Sequence, residues 1–380
     1  MKSYDLVVAG AGPAGLTLAW KAAEGGLRVL VFDKKKDSGD IAYTTSASFI
    51  DLKRWGLPDD VAHPISKIHF ASAGAVIEVS VNACVLRRRR LLAELEKRCL
   101  GKGVDILYST YAKNIDAGSE SITSVGLSEN SVVKGETYAD CSGLGKVFNR
   151  ALPVNTSPVT QALGYESLVP LKSEPHTVEL YLGGILNGGY GWLFPVSDQH
   201  AIVGVGILRR EDFRRIRELL DLFLKLPRIS ERAENRPLES HAGVFSTGRP
   251  LGRFHRGNLV IVGDVALQGN PAAGEGIRFV MDSAEMAARA VVHSVESHDM
   301  RFLGDYSKAW RDKYFRDFST NFRLQRALYW LTGRTWLLNL VIRAGAKASD
   351  DTVVTFIKGE ACPGFLIRKF PKLLYRPFIS

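Results

Sequence analysis

Residues 4–15 read Tyr-Asp-Leu-Val-Val-Ala-Gly-Ala-Gly-Pro-Ala-Gly, and this stretch decides the fold. Its first six residues are a short apolar run of the kind that fills a buried parallel strand. Residues 13–24 follow as a helix rich in Ala and Leu, and residues 27–33 predict a second strand. Strand, helix and strand within about 30 residues close right-handed into a parallel sheet. In the turn, Gly10 permits the tight bend, Gly12 lets a pyrophosphate approach the backbone, and Gly15 lets the helix pack closely on the strand. Pro13 and Ala14 open the helix, where free N–H groups and the helix dipole favour phosphate. Asp33, 18 residues after Gly15, stands where it can accept hydrogen bonds from a ribose, with Lys34 beside it. Glycine turn and acidic residue together make the unit a dinucleotide site.

Working outward, residues 34–80 read as irregular, with a short helix at 50–55. Residues 91–100 predict a helix, 104–108 a strand, and 121–139 a small antiparallel meander. Residues 151–208 alternate apolar and polar positions between glycines, as a mixed sheet does. Phe213, Ile216, Leu219, Leu220 and Phe223 make 211–226 an amphipathic helix over it. The chain then returns to a buried strand at 259–262 and a long helix at 276–292. The expected organisation is α/β, with a Rossmann-type dinucleotide-binding domain in two pieces, 1–150 and 243–300. A mixed α+β substrate domain, 151–242 with part of 44–80, is inserted in it, and a basic, apolar helical region, 301–380, follows.

Two later segments bear on which dinucleotide is bound. Gly263 and Asp264 close the strand at 259–262, and Pro271-Ala272-Ala273-Gly274-Glu275-Gly276-Ile277 forms a second glycine turn into a helix. An Asp there can hold a ribityl or ribose hydroxyl. The turn brings a helix N-terminus towards the pyrimidine edge of a flavin, where the reduced form is anionic. FAD is the dinucleotide these features suit. Their spacing resembles the FAD-binding fold of the para-hydroxybenzoate hydroxylase superfamily. That resemblance implies a middle motif at Asp140-Cys141-Ser142-Gly143, with Asp140 and Gly143 at the cofactor. It also implies an Arg at the start of the preceding helix. Of Arg87, Arg88, Arg89 and Arg90, Arg88 has the best offset from Leu95.

Within that superfamily, Gly189-Tyr190-Gly191-Trp192-Leu193-Phe194-Pro195, followed by Gly204-Val205-Gly206, resembles the YxWxFP and GxG signature of the geranylgeranyl reductase family. The likeness spans roughly residues 3–295. A strand with Tyr190, Trp192 and Phe194 at alternate positions lines one face with aromatics; the competing reading of each ring is ordinary sheet core. With Pro195, Gly204 and Gly206 these rings are the expected substrate wall. Many members of the family carry a Cys in the loop after the second strand. Residues 39–48 here carry none, and hydroxyls of Thr44, Thr45, Ser46 and Ser48 stand there instead, with Thr45 and Ser46 the expected pocket residues.

The implied activity is flavin-dependent reduction of isoprenoid C=C bonds in a prenyl lipid, by hydride transfer from FADH2. Tyr190 and His241 are the candidate proton donors. An external donor, NAD(P)H, ferredoxin or another reduced flavin, is expected to supply the electrons. Two other readings remain open at this stage. One is a flavin monooxygenase hydroxylating an aromatic or quinone substrate, and the other a non-redox cyclase or electron-transfer flavoprotein.

Composition narrows the rest. The chain has 380 residues, 46% of them hydrophobic and 24% charged, which is ordinary for a folded protein. Four scattered cysteines, without metal-ligand spacing, point to neither a metal site nor a disulfide scaffold, and favour a cytoplasmic setting. The net charge of +10 is concentrated in residues 301–380, which hold 15 Lys/Arg against 6 Asp/Glu. There, Trp330, Trp336 and a tail with Phe365, Phe370, Leu373, Leu374 and Phe378 interleave with the cations. That composition suits peripheral contact with an anionic membrane; a helical cap packed on the body is the alternative. No nucleic-acid-binding module accompanies the charge.

Overall fold

A computed structural model describes residues 2–42, 44–154, 159–208, 210–272, 274–346 and 348–360. The opening strand, Lys2–Ala9, lies between two parallel neighbours, Val29–Phe32 and Val132–Asp140. Asp105–Leu107 extends the sheet beyond Val29–Phe32, and Leu259–Ile261 extends it beyond Val132–Asp140. Leu6, Val7 and Val8 are fully buried, as parallel strands covered on both faces must be. The first helix, Pro13–Glu24, packs with Ile277–Glu296 on one side of this sheet, and small residues such as Ala284, Ala287 and Ala288 allow the close approach. The strands Ala112–Ala117 and Ile122–Leu127 make the expected meander with Val132–Asp140.

A second sheet carries the substrate side. Its strand order is Glu239–Thr247, Thr160–Pro170, His200–Ile207, Leu186–Pro195, Thr177–Gly183, Ala62–Ala71, Val76–Leu86 and Ala47–Ser48. Three of these eight strands come from residues 47–86, so residues 34–80 are not the irregular stretch the sequence suggested. Pro64 and a register shift between Ile65 and Lys67 interrupt the alternation there, and prolines are tolerated in strands beside such irregularities. Residues 52–56 are turns rather than a helix; Trp55 anchors them by packing on Trp20, with ring centroids 6.4 Å apart. The expected boundary at 242/243 falls inside Glu239–Thr247, which pairs along its whole length with Thr160–Pro170. The amphipathic helix is shorter than expected, Ile216–Leu224 after a 3₁₀ segment, and buries Ile216, Leu219, Leu220 and Phe223.

After Ile277–Glu296 the chain runs through Leu303–Trp310, a π-helical turn at Arg311–Phe315, and the helices Arg316–Thr332, Thr335–Gly345 and Asp350–Ile357. An aromatic cluster fixes this run to the first domain: the Trp310 ring lies 4.9 Å from Phe254, and the Phe318 ring 5.1 Å from Phe279. Each such edge-on contact adds about 0.5–1.5 kcal/mol beyond its area burial. Leu324, Leu338 and Ile342 are buried, so the region is a packed cap on its inner side. The tail residues from 361 onward, with their expected membrane contacts, lie outside the described residues.

Candidate active site

One cavity of about 2440 Å³ runs between the two sheets and under the C-terminal helices. At one end lies the first glycine turn. Gly10 has φ +105°, and a Cβ on it would meet the Cys141 carbonyl oxygen at 2.6 Å; a Cβ on Gly15 would lie 1.8 Å from the Gly10 oxygen. At Gly12 a Cβ would meet nothing within 4 Å, so this backbone faces open cavity together with Pro13 and Ala14. The three glycines thus have separate tasks: bend, approach and packing.

Asp33 and Lys34 line the same end. Asp33 already accepts the Ala11 N–H at 2.7 Å and the Lys35 N–H at 3.0 Å, which fixes its carboxylate and leaves lone pairs for ribose hydroxyls. The four consecutive arginines are sorted by geometry. Arg87 donates to the Val196 and Asp60 carbonyls, Arg89 to the Ile41 carbonyl, and Arg90 to the Asp60 carboxylate. Arg88 alone of the four lines the cavity, and its buried Nε has no partner among the described residues. Asp264 is open to the cavity beside Gly263 and Gly143. Its enclosure by protein raises the carboxyl above the usual range, with the Arg88 charge opposing. Further along, Pro271, Gly274, Gly276 and Ile277 line the wall where the long helix begins. A buried guanidinium Nε without a partner among the described residues, an open glycine backbone and a helix N-terminus in one cavity fit FAD.

Asp140 departs from expectation. It is fully buried and does not line the cavity. Its carboxylate accepts hydrogen bonds from the Ser142 N–H and hydroxyl at 3.1 and 2.6 Å and from the Asn149 N–H at 2.8 Å. Its work is to fold the turn that carries Gly143 to the cavity.

The second sheet supplies the other end of the cavity, and its register explains the aromatic motif. Trp192 stands opposite Gly204, Gly204 opposite Glu166, and Glu166 opposite His241, in one row across four strands. A Cβ on Gly204 would lie 2.4 Å from Trp192 Cζ2, so the indole lies over the glycine. It reaches across to donate its N–H to Glu166 Oε2 at 3.0 Å. Glu166 Oε1 accepts the Thr44 hydroxyl at 2.6 Å and lies 3.1 Å from His241 Nε2. The next row runs Tyr190, Gly206, Gly164, Gly243. At its end the Tyr190 hydroxyl sits against Gly274, where a Cβ would come within 2.7 Å of it. Burial, with the Glu166 charge adding, pushes the Tyr190 phenol up to about 12, so it keeps its proton.

Tyr190, Trp192, Phe194, Gly206, His241, Thr45 and Ser46 all line the cavity. Pro195 and Gly204 do not: Pro195 is buried in the sheet opposite Ala201, and Gly204 lies beneath the indole. The Thr45 hydroxyl is spent on the Leu86 carbonyl, whereas the buried Ser46 hydroxyl has no partner among the described residues. Three lining residues escaped the sequence reading. Glu166 has no motif around it. Glu275, inside the glycine turn, accepts the Ser48 hydroxyl at 2.5 Å and pairs with Arg278 at 3.3 Å. Cys84 comes from the strand that faces the cysteine-free loop and pairs with Ser48. Burial, then the Glu275 charge, pushes its thiol up to about 12, so it too stays protonated.

Comparison with known proteins bears on the same surfaces. The model of lycopene cyclase proteins matches residues 5–180, and that of the geranylgeranyl reductase catalytic domain matches residues 161–245, the segment that holds Glu166, Trp192 and His241. A digeranylgeranylglycerophospholipid reductase of Methanopyrus kandleri is 29% identical over 83% of this chain and 87% of its own. One of Methanococcus vannielii is 27% identical over 83% and 84%. Among solved structures, a geranylgeranyl bacteriochlorophyll reductase-like protein of Thermoplasma acidophilum superposes with TM-score 0.86 at 22% identity, covering 98% of both chains. A probable FAD-dependent monooxygenase of Pseudomonas aeruginosa shares the fold more distantly, at TM-score 0.71 and 16% identity over 91% of this chain and 99% of its own.

Proposed function

We propose that this chain, which is similar to digeranylgeranylglycerophospholipid reductases and to the geranylgeranyl reductase catalytic domain, is a FAD-dependent reductase that hydrogenates isolated C=C bonds in the prenyl chains of a glycerophospholipid. One observation carries this reading: the dinucleotide end and an apolar, aromatic-walled end belong to a single cavity, whose volume of about 2440 Å³ has room for a cofactor and an isoprenoid chain together. FAD bound there in reduced form supplies the hydride. Arg88 and Asp33 would hold its pyrophosphate and ribose, and the turn at Gly274 and Gly276 would meet its pyrimidine edge.

The protein's own contribution is mainly positional, because an unactivated alkene offers no charge to grip. Leu180, Leu182, Ile65 and Ile68 join Trp192 and Phe194 in lining the apolar end and would keep the chain extended and dry. The electrons come from an external donor, NAD(P)H, ferredoxin or reduced flavin. Among the described residues no helix is long and apolar enough to cross a membrane, and we assign contact with the substrate's bilayer to the exposed face of the C-terminal helices.

The test is anaerobic incubation of the dithionite-reduced holoenzyme with digeranylgeranyl glycerophospholipid, read by mass spectrometry. Gain of two hydrogens per bond without oxygen supports the reading. Unchanged mass across several prenyl lipids while the flavin stays reduced overturns it, and an oxygen-dependent gain of one oxygen atom would move the assignment to a monooxygenase.

A further inference from the structure

The row Gly243, Gly164, Gly206 forms a floor without side chains, bounded on one side by the Glu166 row and ending at Tyr190 and the Gly274 turn. A Cβ on Gly243 would meet nothing within 4 Å and one on Gly164 would come no closer than 3.7 Å to its neighbours, while one on Gly206 would lie 3.2 Å from the Trp192 ring, which borders the row there. Adjacent rows on one face of a sheet are about 7 Å apart, which is wide enough to admit a hydrocarbon chain. A prenyl segment lying in this trough has the flavin turn at one end and the glutamate row along its flank.

Glu166 is only 7% exposed, in an otherwise apolar wall. A buried carboxylate is retained only when its lone pairs are satisfied, and here three donors from three different segments converge on it: Trp192, Thr44 and His241. His241 turns Nε2 towards this carboxylate, and among the described residues its Nδ1 meets no partner. A ring held by one nitrogen and free at the other is the arrangement in which a histidine delivers a proton from a fixed position.

We propose that His241 is the proton donor of the reduction and that Glu166, locked by Trp192 and Thr44, is its positioning residue. The proposal rests on the prenyl-reductase reading. In the step, hydride from the reduced flavin forms a C–H bond at one alkene carbon while the His241 Nδ1–H bond breaks and its proton forms the C–H bond at the other. The alkene gains two electrons and two hydrogens, the flavin loses two electrons, and the imidazole leaves neutral and is reprotonated from solvent. Glu166, with its Oε1 3.1 Å from Nε2, holds the ring in place for the transfer.

The experiment compares wild type, His241→Gln, His241→Ala and Glu166→Gln as holoenzymes in single-turnover reduction of the digeranylgeranyl lipid. It is paired with lipid binding followed by tryptophan fluorescence and with 15N NMR of the histidine ring in the absence of lipid. We expect His241→Gln to slow turnover by about 10²–10⁴-fold with lipid binding and FAD content retained, and added imidazole to restore part of the rate to His241→Ala. Glu166→Gln should shift the His241 ring nitrogen signals. Turnover of His241→Gln within about twofold of wild type, or a loss of lipid binding in His241→Ala with no imidazole rescue, overturns the proposal. A wild-type enzyme that leaves every prenyl lipid unreduced overturns the underlying reading instead, and unshifted ring signals in Glu166→Gln overturn the positioning role alone.

Discussion

At the scale of single residues, Gly204 shows what the second glycine pair of the motif is for. A methyl group there would come within 2.4 Å of the Trp192 ring and 2.7 Å of Glu166 Cβ. Neither neighbour can yield without breaking the indole N–H bond to Glu166. Gly204→Ala should therefore destabilise the protein by about 1–3 kcal/mol, the usual cost of overpacking, and shift Trp fluorescence. Gly206→Ala, whose Cβ would stay 3.2 Å from the same ring, should be milder. Equal melting temperatures for Gly204→Ala and wild type would remove the packing argument. The glycines and aromatics were legible in the sequence because they form a spaced motif. Glu166 was not, because a lone Glu in an alternating strand reads as solvent-facing, and its meaning appears only when register sets it between Gly204 and His241. Asp140 erred in the opposite direction: it sat in the expected motif, yet its carboxylate is used up within its own turn.

At the scale of elements, one carboxylate joins three of them. Asp282, on Ile277–Glu296, is buried, which by itself would raise its carboxyl. Lys313 at 2.7 Å, Tyr314, and Arg54 from the 52–56 turn overcome that and hold it below the ordinary value. A depressed folded pKa gives stability that is fully present above the unfolded value, near about 3.9, and that is lost as pH falls through the lower folded value. Wild type should lose stability on acidification below about pH 4 more steeply than Asp282→Asn. At neutral pH the variant should be less stable by about 1–3 kcal/mol, a figure kept modest because Arg54 and Lys313 are partly solvated. Thermal melts across that range measure both, and parallel pH curves would deny Asp282 the role. The long helix that carries Asp282 is expected from the sequence, at 276–292. The π-helical turn that presents Lys313 and Tyr314 is not, since it is a local insertion within an otherwise helical pattern.

At the scale of the whole molecule, charge, apolar exposure and part of the cavity lining coincide. Trp330 is 50% exposed, Trp336 68% and Leu340 52%, on two successive helices of the C-terminal cap. Trp330 and Val341 also line the cavity, so its lining reaches this outer face. Exposed Arg326, Arg334 and Arg343 border it, with the Arg334 guanidinium 3.9 Å from the Trp330 ring centroid. In the membrane contact proposed above, the rings would enter a headgroup layer and the cations would meet the phosphates of an anionic lipid surface. A double-tailed prenyl lipid could then enter the cavity without its chains crossing water. The variant Trp330→Ala/Trp336→Ala should bind vesicles containing phosphatidylglycerol about tenfold more weakly in sedimentation, since two partly buried indoles contribute at least about 1.4 kcal/mol. Binding of wild type should fall with added salt, whereas FAD content and melting temperature should be unaffected by the substitutions, because neither ring supports the core. Equal partitioning of variant and wild type, or no binding of wild type to these vesicles at low salt, would leave the face without its lipid partner.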